Sequence, residues 1–150
     1  MRFDVQNQLS VAQAFTGAAT VSTNSYQIAN YAAVGNRPDI SIGRRMSLLV
    51  MVTVAAGAGS THTMEAIQAD NAALSSNVNS VNSLSYAAAT LVAGFAFEIP
   101  LPNKSINQLF LGFRNTSTGG TTTVTLDVYL VPADEIPAFR SFSKVVDAVV

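Results

Sequence analysis

Two stretches of alternating apolar residues between Leu109 and Val131 constrain the fold of this chain more than any other feature. Apolar side chains take every second position, at Leu109, Leu111 and Phe113 in the first stretch and at Val124, Leu126, Val128 and Leu130 in the second. Successive side chains on a strand point to opposite faces, so each stretch is typical of a half-buried strand. Residues 115–120 between them are Asn, Thr, Ser, Thr, Gly and Gly, which favour a turn. We therefore predict a β-hairpin that ends at Pro132, with its Thr-rich face toward water.

Other segments predict further strands. Ser47–Val54 is apolar on both faces, which indicates a central strand, and Thr61–Ala69 is predicted as its partner. Phe95–Leu101 alternates, but Pro100 lies in it and Pro102 follows it, and prolines favour a strand at the edge of a sheet or a strand end. Residues 70–85, rich in Asn, Ser, Ala and Val, are interpreted as a long surface loop, with or without one short strand.

Together these segments predict an all-β protein, because no convincing helix separates the strands and a parallel sheet needs such crossovers. An antiparallel two-sheet β-sandwich of jelly-roll type would bury the half-apolar faces of seven or eight strands. A length of 150 residues fits one domain of common size. We predict a single jelly-roll domain over residues 1–150, with a core at 16–132 and extended arms at 1–15 and 133–150.

Composition argues against several classes of function. Charged residues make up 11% of the chain and the net charge is −1, so we expect neither nucleic acid nor a membrane as partner. The most apolar run, Leu48–Ala58, is far shorter than the ~20 residues of a membrane-spanning helix. The N-terminal residues lack the continuous apolar segment of a signal peptide. There is no cysteine, which removes disulfide and thiolate chemistry.

Few residues could carry out chemistry. His62 is the only histidine and has no neighbours at metal-ligand spacing, so we interpret it as a strand residue that is exposed or hydrogen-bonded locally. The adjacent acids Asp134 and Glu135 would point to opposite sides of an extended segment, unlike a glycosidase pair. Gly57-Ala58-Gly59 has no third glycine and indicates a turn. We predict a binding or structural module without catalytic residues, metal or cofactor.

The arms carry apolar residues outside the clear strand pattern, which indicates contacts with a partner. Arg44 and Arg45 form the only pair of adjacent basic residues in the sequence and flank a predicted strand. Their guanidinium groups would suit an acidic patch on a partner. The predicted partner-interface residues are Phe3, Val5, Leu9, Phe15, Arg44, Arg45, Phe139, Arg140, Phe142, Val145 and Val146.

An ordered set of landmarks covers most of the chain and resembles one protein family. The matching stretches are Phe3–Asn7 with Ala12–Ala14, Asp39–Gly43 leading into Leu48–Val54, Leu91–Phe95 running to Ile99–Pro102, and Val128–Pro132. In this order they resemble the capsid cement (decoration) proteins of tailed bacteriophages, in particular the family typified by the Bordetella podophage head cement protein.

The resemblance implies a jelly-roll protein in the virion, on the outer face of an icosahedral head. It implies self-association, with a dimer favoured over a trimer, and binding to neighbouring major capsid proteins, which stabilises the shell without covalent cross-links. It implies no enzymatic activity and no cofactor. The competing interpretation is a carbohydrate- or receptor-binding jelly roll of a tail fibre, for which Asp127 and Tyr129 are the only hint. An enzyme ranks third and would require His62, Glu65 and Glu98 to converge.

Overall fold

The computed structural model describes residues 7–17, 19–28, 45–102, 108–119 and 122–136. Within these residues the structure is built of strands, with 3-10 turns at Ala88–Thr90 and Ala133–Glu135. This confirms the all-β prediction. The strands are β1 (Gln8–Thr16), β2 (Thr20–Val21), β3 (Tyr26–Gln27), β4 (Met46–Val54), β5 (Thr61–Ala69), β6 (Asn79–Ala87), β7 (Ala96–Pro100), β8 (Phe110–Thr118) and β9 (Thr123–Pro132).

The strands form two antiparallel sheets. Sheet 1 has the order β1-β9-β4-β7, and sheet 2 has the order β2-β8-β5-β6, with β3 also paired to β8. Since β3 pairs with the start of β8 and β2 pairs with its middle, they act as one interrupted edge strand. Most connections pass from one sheet to the other, and β5–β6 is the long hairpin that stays within a sheet. This winding is that of a jelly roll, as predicted.

The predicted hairpin between 109 and 131 is wrong, although both of its strands exist. β8 lies in sheet 2 beside β5, whereas β9 lies in sheet 1 between β1 and β4. Most of the predicted turn also belongs to a strand, because β8 continues to Thr118. Alternation indicates which side chains are buried, but it does not identify the neighbouring strand, so two consecutive half-buried strands can belong to opposite sheets.

The other strand predictions have mixed outcomes. β4 is a central strand of sheet 1 and β7 is an edge strand of the same sheet, both as predicted. β5 matches Thr61–Ala69, but its partners are β6 and β8 in sheet 2, not β4. The predicted loop at 70–85 ends early, because β6 is a nine-residue strand from Asn79 to Ala87.

The core lies between the sheets and includes β1. Leu9 and Phe15 are fully buried there, and Phe15 contacts Phe113 of sheet 2 edge to face, with ring centroids 5.3 Å apart. β1 pairs with β9 from Gln8 to Thr16. The structure therefore places most of the predicted N-terminal arm in the sandwich, which moves the start of the core from residue 16 to Gln8.

The outer face of each sheet carries a small apolar cluster. On sheet 2, Leu74 of the β5–β6 connection packs with Ile67 and Ala69 and lies over Gly112 of β8. On sheet 1, Ile136 beyond the end of β9 packs on an outer cluster formed with Leu49, Tyr129 and Val131. The Thr-rich face of β9 is thus open at Thr123 and covered at Tyr129.

Candidate interaction surfaces

The structure separates the predicted interface residues into three groups. Leu9 and Phe15 are enclosed in the core of their own sandwich, so their side chains stabilise the fold and present no surface to a partner. Arg45 is exposed at the start of β4. The other predicted residues lie outside the described ranges: Phe3, Val5, Arg44, Phe139, Arg140, Phe142, Val145 and Val146.

The described residues that precede or follow those segments in the chain lie close together at one end of the sandwich. Gln8 is the first residue of β1. Its side-chain amide donates to the Tyr129 hydroxyl at 3.2 Å. Ile136, the last described residue, packs in the cluster with the same Tyr129. The backbone N–H of Ala133 donates to the Arg45 carbonyl at 2.8 Å. Gln8, Arg45 and Ile136, described residues close in sequence to these segments, are therefore neighbours.

The two residues that hinted at sugar binding have structural roles. Tyr129 is buried beneath Ile136 and bonded to Gln8, so its ring does not form an open platform. The Asp127 carboxylate accepts a hydrogen bond from the backbone N–H of Ala12, where β1 is irregular and Ala12 has a φ of 44°. This hydrogen bond stabilises a bulge in edge strand β1. Bulges of this kind commonly interrupt pairing at the edge of a sheet.

His62 lies at the centre of a buried polar network. Its Nε2 is 3.0 Å from the Ser60 hydroxyl and 3.2 Å from the Thr122 hydroxyl, while its Nδ1 is 3.2 Å from the Asn115 amide nitrogen. Burial lowers the pKa of His62 below 6.5, and the hydrogen bond with Asn115 opposes that shift. The network joins β5 and β8 to the connections that precede β5 and β9. His62 is therefore hydrogen-bonded as predicted, but it is buried and not exposed.

The carboxylates lie in separate surroundings. Glu65, on the outer face of sheet 2, pairs with Arg114 across a 2.7 Å contact between Oε2 and Nε. Glu98 lies on β7 at the edge of sheet 1, and His62 is inside the sandwich. The three residues that an active site would have needed do not converge. Among the described residues, no group of three or more His, Cys, Asp or Glu side chains could hold a metal ion.

The polar network was missed at the sequence level because its members resemble turn residues. Asn115 and Ser117, whose hydroxyl lies 3.3 Å from that of Thr122, belong to the predicted turn, yet both are buried in β8. The available signal was their spacing, since positions 111, 113, 115 and 117 continue the alternation of Leu111 and Phe113.

No helix in the described ranges is long and apolar enough to cross a membrane.

Comparison with known families gives a match over most of the sandwich. A model of the Bbp16 family covers residues 9–130, from the second residue of β1 to near the end of β9. The chain belongs to the Bbp16 family. The family name indicates a Bordetella phage protein, in agreement with the phage family that the sequence resembles. No curated protein matches the chain.

Proposed function

We propose that this Bbp16-family protein is a capsid cement protein, located on the outer surface of a phage head. It binds neighbouring major capsid protein subunits and stabilises the shell without covalent bonds. In this role it needs no catalytic residue and no cofactor, and it associates with further copies of itself, with a dimer favoured over a trimer. Membership of a phage protein family supports the proposal, as does a jelly roll whose histidine is enclosed in its own fold.

The observation that carries the proposal is the common origin of the predicted partner-binding segments. Residues 1–6, the arginine pair and residues 137–150 all continue from one end of the sandwich, around Tyr129. Contacts that start from one region can act together on one partner, because the first contact holds the others at high effective concentration. Burying ~500 Å² of apolar surface in one such contact gives roughly 12 kcal/mol before entropic costs, and association entropy removes much of it.

Binding to phage heads tests this function. Purified protein is mixed with heads that lack it and sedimented, and the bound fraction is measured against protein concentration. We expect saturable binding and heads that withstand higher temperature. The informative variant lacks residues 137–150 and retains Ile136. Ile136 is retained because it is buried in the sheet 1 cluster and its removal would damage the fold. The truncated protein should keep its thermal unfolding midpoint and bind heads more weakly. Absence of binding by the complete protein would refute the proposal.

A further inference from the structure

Edge strand β6 of sheet 2 directs part of its backbone away from the sandwich. The backbone N–H of Ala88 donates to the Ser60 carbonyl at 2.9 Å, so these two residues form a hydrogen-bonded pair of the ladder between β5 and β6. In an antiparallel ladder such pairs alternate with residues whose backbone groups point the other way. Counted back along β6 in its regular register, the outward-pointing residues are Ser83, Ser85 and Ala87.

Most of these outward backbone groups have no partner within the described part of the chain. The Ser83 N–H donates to the side-chain oxygen of Asn82 at 2.9 Å, and the same side chain donates to the Pro100 carbonyl at 2.8 Å. The Ser83 carbonyl and the N–H and carbonyl groups of Ser85 and Ala87 make no hydrogen bond to a described residue. A free strand edge of this kind is a template for pairing with another strand.

The other edges of the two sheets are protected in ways that β6 is not. Natural sheets block their edges with bulges, prolines, charges or short strands. β1 is bulged, and Asp127 accepts a hydrogen bond from the N–H of Ala12 there. β7 has five residues and ends at Pro100, and the edge formed by β2 and β3 is interrupted. β6 has nine residues with neither charge nor proline, and its one register shift, at Val81, leaves regular pairing from Asn82 to Ala87.

We propose that β6 pairs with β6 of a second copy of this chain, antiparallel about a two-fold axis at Ser85, so that two copies of sheet 2 become one continuous sheet. This inference rests on the self-association in the proposed function and names its interface. The free groups are arranged symmetrically, because Ser83 and Ala87 lie two residues on either side of Ser85. Two serines at position 85 would exchange two hydrogen bonds, and the free N–H of Ala87 would donate to the carbonyl of Ser83 in the other copy.

The side chains of β6 suit this pairing. Ser83, Ser85 and Ala87 are small and exposed on the outer face, so they do not obstruct a second strand. On the inner face Leu84 and Tyr86 pack against the core but are only partly buried. Pairing centred on Ser85 would place Leu84 of each copy opposite Tyr86 of the other, and apolar cross-strand pairs stabilise sheets.

The arrangement of the free groups favours a second copy over a strand of the capsid. A two-fold pair needs a self-complementary edge, and the free groups of β6 repeat symmetrically about one residue, which a foreign strand would not require. Pairing uses the open edge of both copies, and the remaining described edges are blocked, so assembly stops at a dimer.

Opposite charges at position 85 test both the interface and its register. The variants of the complete protein are Ser85→Lys and Ser85→Glu, at an exposed side chain whose hydroxyl bonds to that of Thr63 at 2.9 Å. The control is Val11→Lys, at an exposed residue of edge strand β1 in the other sheet. Thermal unfolding first establishes that each variant folds. In sedimentation equilibrium each charged variant alone should dimerise at least about tenfold more weakly than the wild type, because like charges would face each other across the axis. The control should dimerise like the wild type.

Two further measurements check the register. An equal mixture of the Lys and Glu variants should form heterodimers in native mass spectrometry, because position 85 faces its own equivalent only in this register. In the wild type, which needs no substitution, the amide hydrogens of Ser85 and Ala87 should exchange slowly in concentrated solution and quickly after dilution below the dimer Kd.

The outcomes separate this inference from the proposed function. A wild type that stays monomeric, forms trimers or forms dimers that neither charge weakens overturns the inference, as does a mixture without heterodimers. If the wild type dimerises through β6 but does not bind heads, the proposed function fails and the pairing stands. If it binds heads while its β6 amides stay unprotected at every concentration, the pairing is wrong and head binding stands.

Discussion

The packing of Leu74 over Gly112 gives a sharp test of how the β5–β6 connection is held on the sandwich. A Cβ added to Gly112 would lie 2.2 Å from Cδ1 of Leu74 and 2.8 Å from its Cδ2. These distances are too short for carbon atoms that are not covalently bonded to each other. Gly112→Ala must therefore displace the Leu74 side chain, which is 3% exposed in the native structure.

The expected cost follows from what Leu74 loses. Complete burial of a leucine side chain contributes about 1.5 to 3 kcal/mol, so Gly112→Ala should lower the free energy of unfolding by about 2 kcal/mol. Leu74→Ala should cost a similar amount, because it removes the same burial. When both are present, the alanine at 112 meets no obstacle. It should then be neutral or stabilising by up to about 0.5 to 1 kcal/mol, because glycine weakens a strand interior relative to alanine.

Urea unfolding followed by far-UV circular dichroism measures the four proteins of this double-mutant cycle. We expect a coupling of about 2 kcal/mol between the two positions, well above the 0.3 to 0.5 kcal/mol scatter of independent sites. Limited proteolysis adds a local readout, since Gly112→Ala should expose the connection at 70–78 to cleavage. Equal costs of Gly112→Ala in both backgrounds would refute the packing argument.

Three further predictions concern other parts of the fold. Phe15→Ala should cost about 3 to 5 kcal/mol of stability by opening a core cavity, and folded protein should still bind heads, whereas a selective loss of binding would restore its interface role. Removal of residues 136–150 should lower the unfolding midpoint further than removal of 137–150, because only the former exposes the Tyr129 cluster; equal midpoints would exclude that packing. Burial holds the pKa of His62 below 6.5, so the unfolded chain binds the proton first as pH falls. Stability should therefore decline below about pH 6.5 by up to about 1.4 kcal/mol per pH unit, and His62→Gln should flatten this decline in denaturant titrations at stepped pH. An unchanged slope in that variant would mean that His62 does not set it.

Sequence patterns predicted burial better than pairing. The alternation at Val124–Leu130 and the apolar run from Leu48 correctly identified the inner faces of β9 and β4, except at Val54, which is exposed. Pairing failed because it depends on which distant strand completes each sheet: β9 pairs with β1, more than a hundred residues earlier in the chain. β6 was predicted as at most a short strand within a loop, because its Asn and Ser residues, which favour loops, lie on an edge strand half open to water.

The candidate site was harder to predict, for a related reason. The arginine pair and the C-terminal segment were chosen for residue type alone, whereas the structure shows Arg45 beside Ala133 through a backbone hydrogen bond. Leu9 and Phe15 looked like arm residues because β1 is irregular: its register shifts twice against β9 and disrupts the simple alternation.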